Sequence, residues 1–191
     1  GQIDYDDFAN KINPKTKFIS LTHMSNVTGS ITDFGLIKEK IKNKNIPLLI
    51  DGCQYVAHSE LNVSKLDCDF YVFSGHKLYG PSGVGVLYMK EKWIEDFEPY
   101  QGGGDMIDKV EIDKTTFAKG FNKFEAGTPP IAQVIGLGSS IDFVNSLGLE
   151  KIFKHEKDLY NYTLSKLTSL SDFQIYGNSP SKGAIITFNI K

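Results

Sequence analysis

The chain has few cysteines, almost no charge imbalance and no long apolar run. Only two of its 191 residues are cysteine, Cys53 and Cys68, and their spacing fits neither a disulfide framework nor a metal site. This scarcity is typical of a reducing, cytoplasmic setting, which we expect here. The formal net charge of −2 provides no basic field for nucleic acid. No segment approaches the ~20 apolar residues of a membrane span, so we expect neither nucleic acid nor membrane as a partner.

The composition is instead that of an ordinary globular domain. Hydrophobic residues make up 40% of the chain and charged residues 23%, and the length corresponds to about one domain. The sequence opens without methionine, and its final segment, AIITFNIK, has the pattern of an interrupted strand. We therefore expect a piece of a longer protein, truncated at both ends.

Short apolar runs alternate with helix-length amphipathic segments in the first half. This alternation is typical of parallel βα units and predicts an α/β fold, with a mostly parallel sheet in a three-layer α/β/α arrangement. Asp33 is predicted to cap a helix that Pro47 ends. Predicted strands lie at residues 17–24, 48–50, 70–73 and 83–89. The last strand follows its neighbour so closely that we expect it to pair antiparallel or to lie at an edge.

The second half begins with a long connection, residues 100–130, which holds three consecutive glycines and a Gly-Thr-Pro-Pro stop. Its length predicts an irregular, functional loop. From Ile131 the apolar residues follow helical spacing as far as Gly148, and a second helix and two strands come after it. We divide the chain into a central domain portion, residues 1–148, and a connecting helix with the start of a smaller domain, residues 149–191.

Polar residues follow three of the predicted strands. Asn26 lies just past the first, Asp51 ends the second, and the tetrapeptide Ser-Gly-His-Lys at 74–77 follows the third. In open α/β sheets, ligands bind beyond the carboxyl ends of the strands. Parallel strands would place these residues along one rim, which predicts a binding site there.

Lys77 is the sharpest candidate for chemistry. A lysine at the mouth of a buried strand, partly desolvated and beside a histidine, can act as a Schiff-base nucleophile. The alternative is an ordinary surface lysine. The neighbours favour the first interpretation, because Ser74 and His76 can donate to an anion and the adjacent glycines and proline fix a tight backbone.

Asp51 and Gln54 have two interpretations that the residues alone leave open. A carboxylate at the edge of a core needs a cationic or donor partner, and the ring nitrogen of pyridoxal phosphate is one such partner. Asp51 could equally cap a helix, with Gln54 completing the cap. Thr128 could donate to a phosphate near a helix start, and Gly102 to Gly104 permit close backbone approach, although these features alone favour ordinary structural loops.

Five segments together resemble the class V aminotransferase-like family of fold-type I pyridoxal-phosphate enzymes. They are SNVTGSI, LLIDGCQYVAH, DCDFYVFSGHKLYGPSGVGVLY, GGGDMI and FEAGTPP. They occur in the order of the family and span most of residues 15–150, whereas residues 150–191 match only loosely. Within the family the chain is most similar to cysteine desulfurases of the SUF type, and SGHKLYGP is the most specific segment. The resemblance implies the large pyridoxal-phosphate-binding domain of this fold.

The resemblance implies a role for each cofactor-binding residue. Lys77 would form the Schiff base with pyridoxal 5'-phosphate and later move protons on the substrate. Asp51 would pair with the pyridinium nitrogen, Gln54 would bind the phenolic oxygen, and Ser74 and His76 would bind the phosphate.

The resemblance also implies an activity and its partners. The enzyme would convert L-cysteine to L-alanine and pass sulfur through an enzyme persulfide to an acceptor protein of iron–sulfur cluster assembly. Asn26 would lie near the substrate carboxylate. Thr128 and Gly103 would reach the neighbouring subunit's site, so the enzyme would be a homodimer.

Departures from the family define what this chain would lack. Relatives extend further at both ends and carry there a ring-stacking histidine, a sulfur-accepting cysteine and a carboxylate-binding arginine. We therefore expect the chain to be inactive alone. Cys53 stands where relatives mostly have alanine and Lys123 where arginine is common, and we assign neither Cys53 nor Cys68 as a nucleophile. Alternatives are a selenocysteine lyase, another class V lyase or aminotransferase, and a non-catalytic domain that retains the fold.

Overall fold

The computed structural model describes all residues, 1–191, as five helices, eight strands and three short 3-10 turns. The helices are α1 (Tyr5–Lys11), α2 (Phe34–Ile41), α3 (Val63–Leu66), α4 (Ile131–Leu147) and α5 (Leu149–Thr168). The strands are β1 (Ile19–Thr22), β2 (Leu48–Asp51), β3 (Phe70–Ser74), β4 (Gly85–Met89), β5 (Ile107–Val110), β6 (Thr115–Phe117), β7 (Phe173–Tyr176) and β8 (Thr187–Ile190). The 3-10 turns cover Gly75–Leu78, Glu91–Trp93 and Gly120–Phe124.

A four-stranded sheet organises the first half of the chain, in the order β1-β2-β3-β4. Strands β1, β2 and β3 are parallel, and β4 pairs antiparallel with β3. The predicted α/β class with a mostly parallel sheet is therefore confirmed. The strand predicted at 83–89 is both antiparallel and at the edge. Strand β1 is shorter than the predicted 17–24, while Asp51 and Ser74 are the last residues of β2 and β3.

The core lies where the sheet, α2 and α4 bring their apolar side chains together. Ile37 and Ile50 are fully buried within it. Its other buried members are Ile19, Phe34, Leu48, Val56, Ala57, Cys68, Tyr71, Leu78, Leu137 and Val144. Leu137 and Val144 of α4 belong to the same buried cluster as Leu78, which follows β3. This packing holds α4 close to the carboxyl end of β3.

Two local predictions were wrong in detail. Helix α2 ends at Ile41 rather than at Pro47, because Asn43 and Asn45 adopt left-handed conformations with φ of 67° and 43°. Asparagine tolerates this conformation better than most residues, so the chain turns before the proline. Residues 100–130, predicted as irregular, contain the antiparallel β5–β6 hairpin and the Gly120–Phe124 turn.

The C-terminal elements follow the prediction closely. Helix α4 ends at Leu147, and Gly148 follows it with φ of 87°, a left-handed conformation that glycine adopts at little cost. Strands β7 and β8 form an antiparallel pair. A β-bridge between Ser30 and Lys182 ties this region to the loop after β1. None of the helices combines the length and the apolar character required to cross a membrane.

Removal of the α2 cap should lower the free energy of unfolding. The Asp33 carboxylate accepts hydrogen bonds from Gly35 N–H at 2.8 Å and Leu36 N–H at 3.2 Å, as predicted. Asp33→Ala removes both, and we expect a loss of about 1 kcal/mol in urea unfolding. Asp33→Asn should retain most of the stability. Asp113→Ala, an exposed aspartate in the β5–β6 turn, is the control and should change stability by less than about 0.5 kcal/mol; equal effects at both positions would contradict the capping role.

Candidate active site

The ends of the three parallel strands lie side by side at one edge of the sheet. Thr22 pairs in register with Asp51, and Asp51 pairs with Val72. The backbone continues this order beyond the strands, since His23 N–H donates to Asp51 O at 2.7 Å and Gly52 N–H donates to Val72 O at 2.9 Å. The segments that follow β1, β2 and β3 therefore emerge next to one another.

Lys77 lies in the 3-10 turn Gly75–Leu78, which we call the lysine turn. Gly75 N–H donates to Val84 O at 2.9 Å, and a Cβ atom at Gly75 would lie 2.7 Å from Val84 Cγ1. Only glycine fits this close approach. Tyr79 ends the turn in a left-handed conformation with φ of 59°. This is a strained conformation for an aromatic residue, and it reverses the chain directly after the half-buried Lys77.

The lysine turn is also fixed against α4. Gly80 N–H donates to Gly75 O at 3.0 Å. A Cβ atom at Gly80 would lie 2.9 Å from that same oxygen and 3.1 Å from Ser140 Oγ on α4. Gly136 of α4 likewise lies against Pro81. The glycines and the proline around Lys77 thus let a helix and a tight turn approach closely.

Ser74 and His76 form a polar pair beside the lysine. Ser74 Oγ and His76 Nδ1 lie 2.7 Å apart, and either atom can be the donor according to the tautomer of the ring. His76 is exposed and Ser74 is half-buried. The pair presents hydroxyl and imidazole hydrogen-bonding groups at the strand end, which suits an anionic ligand.

Asp51 holds the turn segment that follows it, residues 52–59. Its Oδ1 accepts a hydrogen bond from Cys53 N–H at 2.9 Å, while Oδ2 remains free of backbone donors. Tyr55 N–H and Val56 N–H both donate to Gly52 O, so this segment is a series of turns and not a helix. The capping interpretation thus describes one carboxylate oxygen only. Gln54 is half-buried in the same segment.

The Cys53 thiol is influenced by several of the candidate residues. Burial raises the pKa of Cys53 and the Asp51 carboxylate raises it further, whereas Ser74 N–H and the Lys77 charge act in the opposite direction. Asp51 and Ser74 therefore lie next to this thiol, and Lys77 is close enough for its charge to act on it. The only sequence signal for this location of Cys53 is its position two residues after Asp51. The raised pKa keeps the thiol protonated near neutral pH, which agrees with assigning it no nucleophilic role.

Asn26 and Thr128, two other predicted site residues, are both exposed. Asn26 is exposed in the turn Ser25–Gly29, and Thr187 donates a hydrogen bond to the adjacent Val27 O. No hydrogen bond joins Asn26 or Thr128 to the lysine turn. The strand pairing brings Asp51 beside the strand that leads to Ser74, His76 and Lys77, and Asn26 follows β1 at the same edge of the sheet.

Gly103 and Thr128 lie in two segments that contact each other, the glycine run 102–104 and residues 126–128. A Cβ atom at Gly103 would lie 3.0 Å from Gly127 N, and Gly127 N–H donates to Gly104 O at 2.9 Å. Gly102 and Gly104 have open space around them, so the predicted close approach holds for Gly103 alone. Thr128 is exposed just before α4.

These residues together can hold an organic ligand, and no group of three or more His, Cys, Asp or Glu side chains is arranged to hold a metal ion. A half-buried amine can attack a carbonyl, a carboxylate can pair with a cationic nitrogen, and the Ser74–His76 pair can bind an anion. A ring that carries a carbonyl group, a cationic nitrogen and an anionic group would therefore suit the site.

The comparisons with known proteins agree with this geometry. The whole chain, residues 1–191, matches the family described as Aminotransferase class-V, and the chain belongs to that family. It is 46% identical over 193 residues to a cysteine desulfurase of Wigglesworthia glossinidia brevipalpis, which covers 100% of this chain and 47% of that relative. The chain thus spans about half the length of the curated relatives it matches.

Two solved structures share the fold. The cysteine desulfurase CsdA from Escherichia coli has a TM-score of 0.92 and 33% identity, over 98% of this chain and 46% of that one. The apo cysteine desulfurase from Thermococcus onnurineus NA1 has a TM-score of 0.92 and 34% identity, over 100% of this chain and 48% of that one. Both support the α/β fold described above.

Alkylation of Cys53 should report the charges around it. Because the thiolate is the reactive form, we expect iodoacetamide to alkylate Cys53 with a pH midpoint above the value of about 8.5 for free cysteine. Lys77→Met removes the charge that opposes this shift, so the midpoint should rise further. The measurement is peptide mass spectrometry across a pH series.

Lys44→Met provides the control for this experiment, since Lys44 is exposed in the turn after α2 and has no contact with Cys53. Cys68 is fully buried and serves as an internal reference. A midpoint equal to that of free cysteine, or the same midpoint in Lys77→Met as in the unaltered chain, would contradict the described geometry.

Proposed function

We propose that this chain forms the cofactor-anchoring part of a pyridoxal-phosphate-dependent cysteine desulfurase. The observation that carries the proposal is the in-register pairing of β2 with β3, which places Asp51, at the end of β2, beside the strand that leads into Ser74 and the lysine turn. A carboxylate, a hydroxyl and a lysine amine are the groups that such a cofactor requires. Membership of the class V aminotransferase family and the similarity to cysteine desulfurases support it.

The residues present fit pyridoxal 5'-phosphate. Asp51 Oδ2 is free of backbone donors and can accept a hydrogen bond from a protonated ring nitrogen, while Oδ1 stays bound to Cys53 N–H. When bound, the cofactor supplies an electron sink for the bonds at the substrate α-carbon. Asp51 would keep the ring nitrogen protonated, and Gln54, in the turn that Asp51 holds, would bind the phenolic oxygen.

Lys77, Ser74 and His76 would complete the anchor. The Lys77 amine would hold the cofactor as a Schiff base and would then carry protons to and from the substrate carbon. Ser74 Oγ and His76 would bind the phosphate, and their 2.7 Å contact keeps the two groups side by side. The tight glycine-lined backbone of the lysine turn restricts the direction of the amine.

The substrate we propose is L-cysteine, converted to L-alanine with transfer of sulfur to an acceptor protein for iron–sulfur cluster assembly. Asn26 would lie near the substrate carboxylate. The relatives at 42–46% identity that carry the name cysteine desulfurase support this over a selenocysteine lyase or a non-catalytic domain. The segment SGHKLYGP supports the SUF type. Two free thiols, Cys53 and Cys68, support a reducing, cytoplasmic setting.

A homodimer would complete the site, with Thr128 and Gly103 acting in the neighbouring subunit. The packing of Gly103 against Gly127 supports this pairing of segments, because it fixes the exposed Thr128 beside the glycines. Helix α4 directly after Thr128 also leaves Ile131, Val134 and Ile135 exposed by 58%, 49% and 66%. Such a patch of large apolar side chains suits an interface. We retain the division into residues 1–148 and 149–191 as part of this proposal.

Cofactor binding is the first test. We expect the purified chain, mixed with pyridoxal phosphate, to develop a visible absorbance band that borohydride abolishes, with the reduced cofactor found on Lys77 by peptide mass spectrometry. Lys77→Ala should lose the band because it removes the amine that follows the end of β3. Asp51→Asn should shift the band and weaken binding by about ten-fold, since a charge-assisted hydrogen bond is lost.

Lys44→Ala is the matched control and should behave like the unaltered chain. Labelling spread over many surface lysines, or a band that survives in Lys77→Ala, would refute the proposed anchor. Asp113→Asn controls for the loss of a carboxylate away from the site.

Association of two copies is the second test. We expect sedimentation equilibrium to give twice the 21.3 kDa mass of the chain, and Ile135→Glu to shift it toward a single copy because a charge would be buried at the interface. Ile112→Glu, at a fully exposed position in the β5–β6 turn, is the control. A single-copy mass for the unaltered chain at high concentration would count against the homodimer.

A further inference from the structure

A buried group of aromatic side chains lies beneath the turn segment 52–59. His23 and Tyr55 stack with ring centroids 3.5 Å apart and an interplanar angle of 10°. His23 Nδ1 lies 3.0 Å from the Tyr71 hydroxyl. His23 is 6% exposed and Tyr71 is 1% exposed, although both carry polar atoms. Nothing in the proposed anchor uses this group, yet it contacts the turn that carries Gln54.

Tyr71 also occupies the space that a side chain would need at position 52. A Cβ atom at Gly52 would overlap the hydroxyl and the ring of Tyr71. The same glycine donates through its N–H to Val72 O and accepts through its O from Tyr55 and Val56. The tyrosine ring therefore packs directly on the backbone between Asp51 and Cys53.

The neutral form of the imidazole suits this arrangement. Burial lowers the pKa of His23 to about 4, so the ring is uncharged near neutral pH. Burial raises the pKa of Tyr71, so its hydroxyl keeps its proton. One neutral hydrogen bond thus joins the two rings.

We propose that His23 and Tyr71 are positioning residues, whose hydrogen bond and packing on Gly52 and Tyr55 set the direction of Asp51 and Gln54 toward the cofactor ring. The inference rests on the proposed function for its ligand, and it goes beyond that function by assigning a role to two residues outside the proposed anchor. His23 would act through Tyr55 and through its backbone bond to Asp51 O. Tyr71 would act through Gly52.

The test uses Tyr71→Phe, which removes one oxygen and keeps the ring, with His23→Gln and the double variant. Tyr88→Phe is the matched control, because Tyr88 pairs with Tyr71 in register on β4 and none of the hydrogen bonds within the chain involves its hydroxyl. Thermal unfolding of each variant establishes that it is folded at the temperature of the measurements.

The first readout needs no cofactor. Cys53 lies in the turn segment, so a loosened turn should expose its thiol, and we expect alkylation by iodoacetamide to be about five-fold faster in Tyr71→Phe and His23→Gln, as for local opening. The fully buried Cys68 should stay unreactive. A general loss of folding would instead expose both cysteines together.

The second readout is the affinity for pyridoxal phosphate by absorbance titration. We expect each single variant to bind about ten-fold more weakly, the loss of one hydrogen bond in a fixed network. The double variant should be no weaker than the singles, because the two residues act as one unit. Unchanged alkylation and unchanged affinity in folded variants would overturn the inference.

The two readouts also separate this inference from the proposed function. If the unaltered chain bound no pyridoxal phosphate, the proposed function would fail, and the assignment of His23 and Tyr71 to that ligand would fail with it. If the unaltered chain bound the cofactor and the variants matched Tyr88→Phe in both readouts, only the positioning role would be wrong.

Discussion

The parallel pairing of β2 between β1 and β3 is the constraint on which the site depends. The register that sets Thr22 beside Asp51 and Asp51 beside Val72 fixes where three chain segments leave the sheet. The residues of the proposed cofactor anchor lie at the ends of β2 and β3 or in the segments that follow them. Adjacent strands lie about 4.8 Å apart, so groups that follow their ends come within reach of one small ligand without any special contact between them.

Much of this arrangement could be predicted from sequence because its signals are local. Apolar runs of strand length predicted the strands. The polar residues that follow these runs predicted a binding site at the carboxyl edge of the sheet. The Asp33 cap and the Gly148 helix end depend on single residues and their immediate neighbours. In each case the backbone conformation is decided within a few positions, so a reading of the chain in order is sufficient.

Features that arise from contacts between distant segments could not be predicted in this way. The meeting of charges at Cys53 depends on how β2 and β3 align, and the stack of His23 on Tyr55 joins residues from two different loops. The β5–β6 hairpin was hidden because its strands are short, β5 is exposed throughout and β6 has no buried residue, so neither shows the alternation that marks a half-buried strand. The end of α2 at Ile41 was decided by two asparagines rather than by the more conspicuous proline.

The contact between Gly52 and Tyr71 restricts which substitutions can accumulate at these two positions during evolution. A side chain at position 52 would overlap the Tyr71 ring, so position 52 is restricted to glycine for as long as position 71 carries a large ring. Replacement of Gly52 by any larger residue would cause this overlap directly. Such a replacement therefore requires an earlier substitution of Tyr71 by a smaller residue. Among related sequences, the two positions should therefore vary as a pair, although 18 residues separate them along the chain.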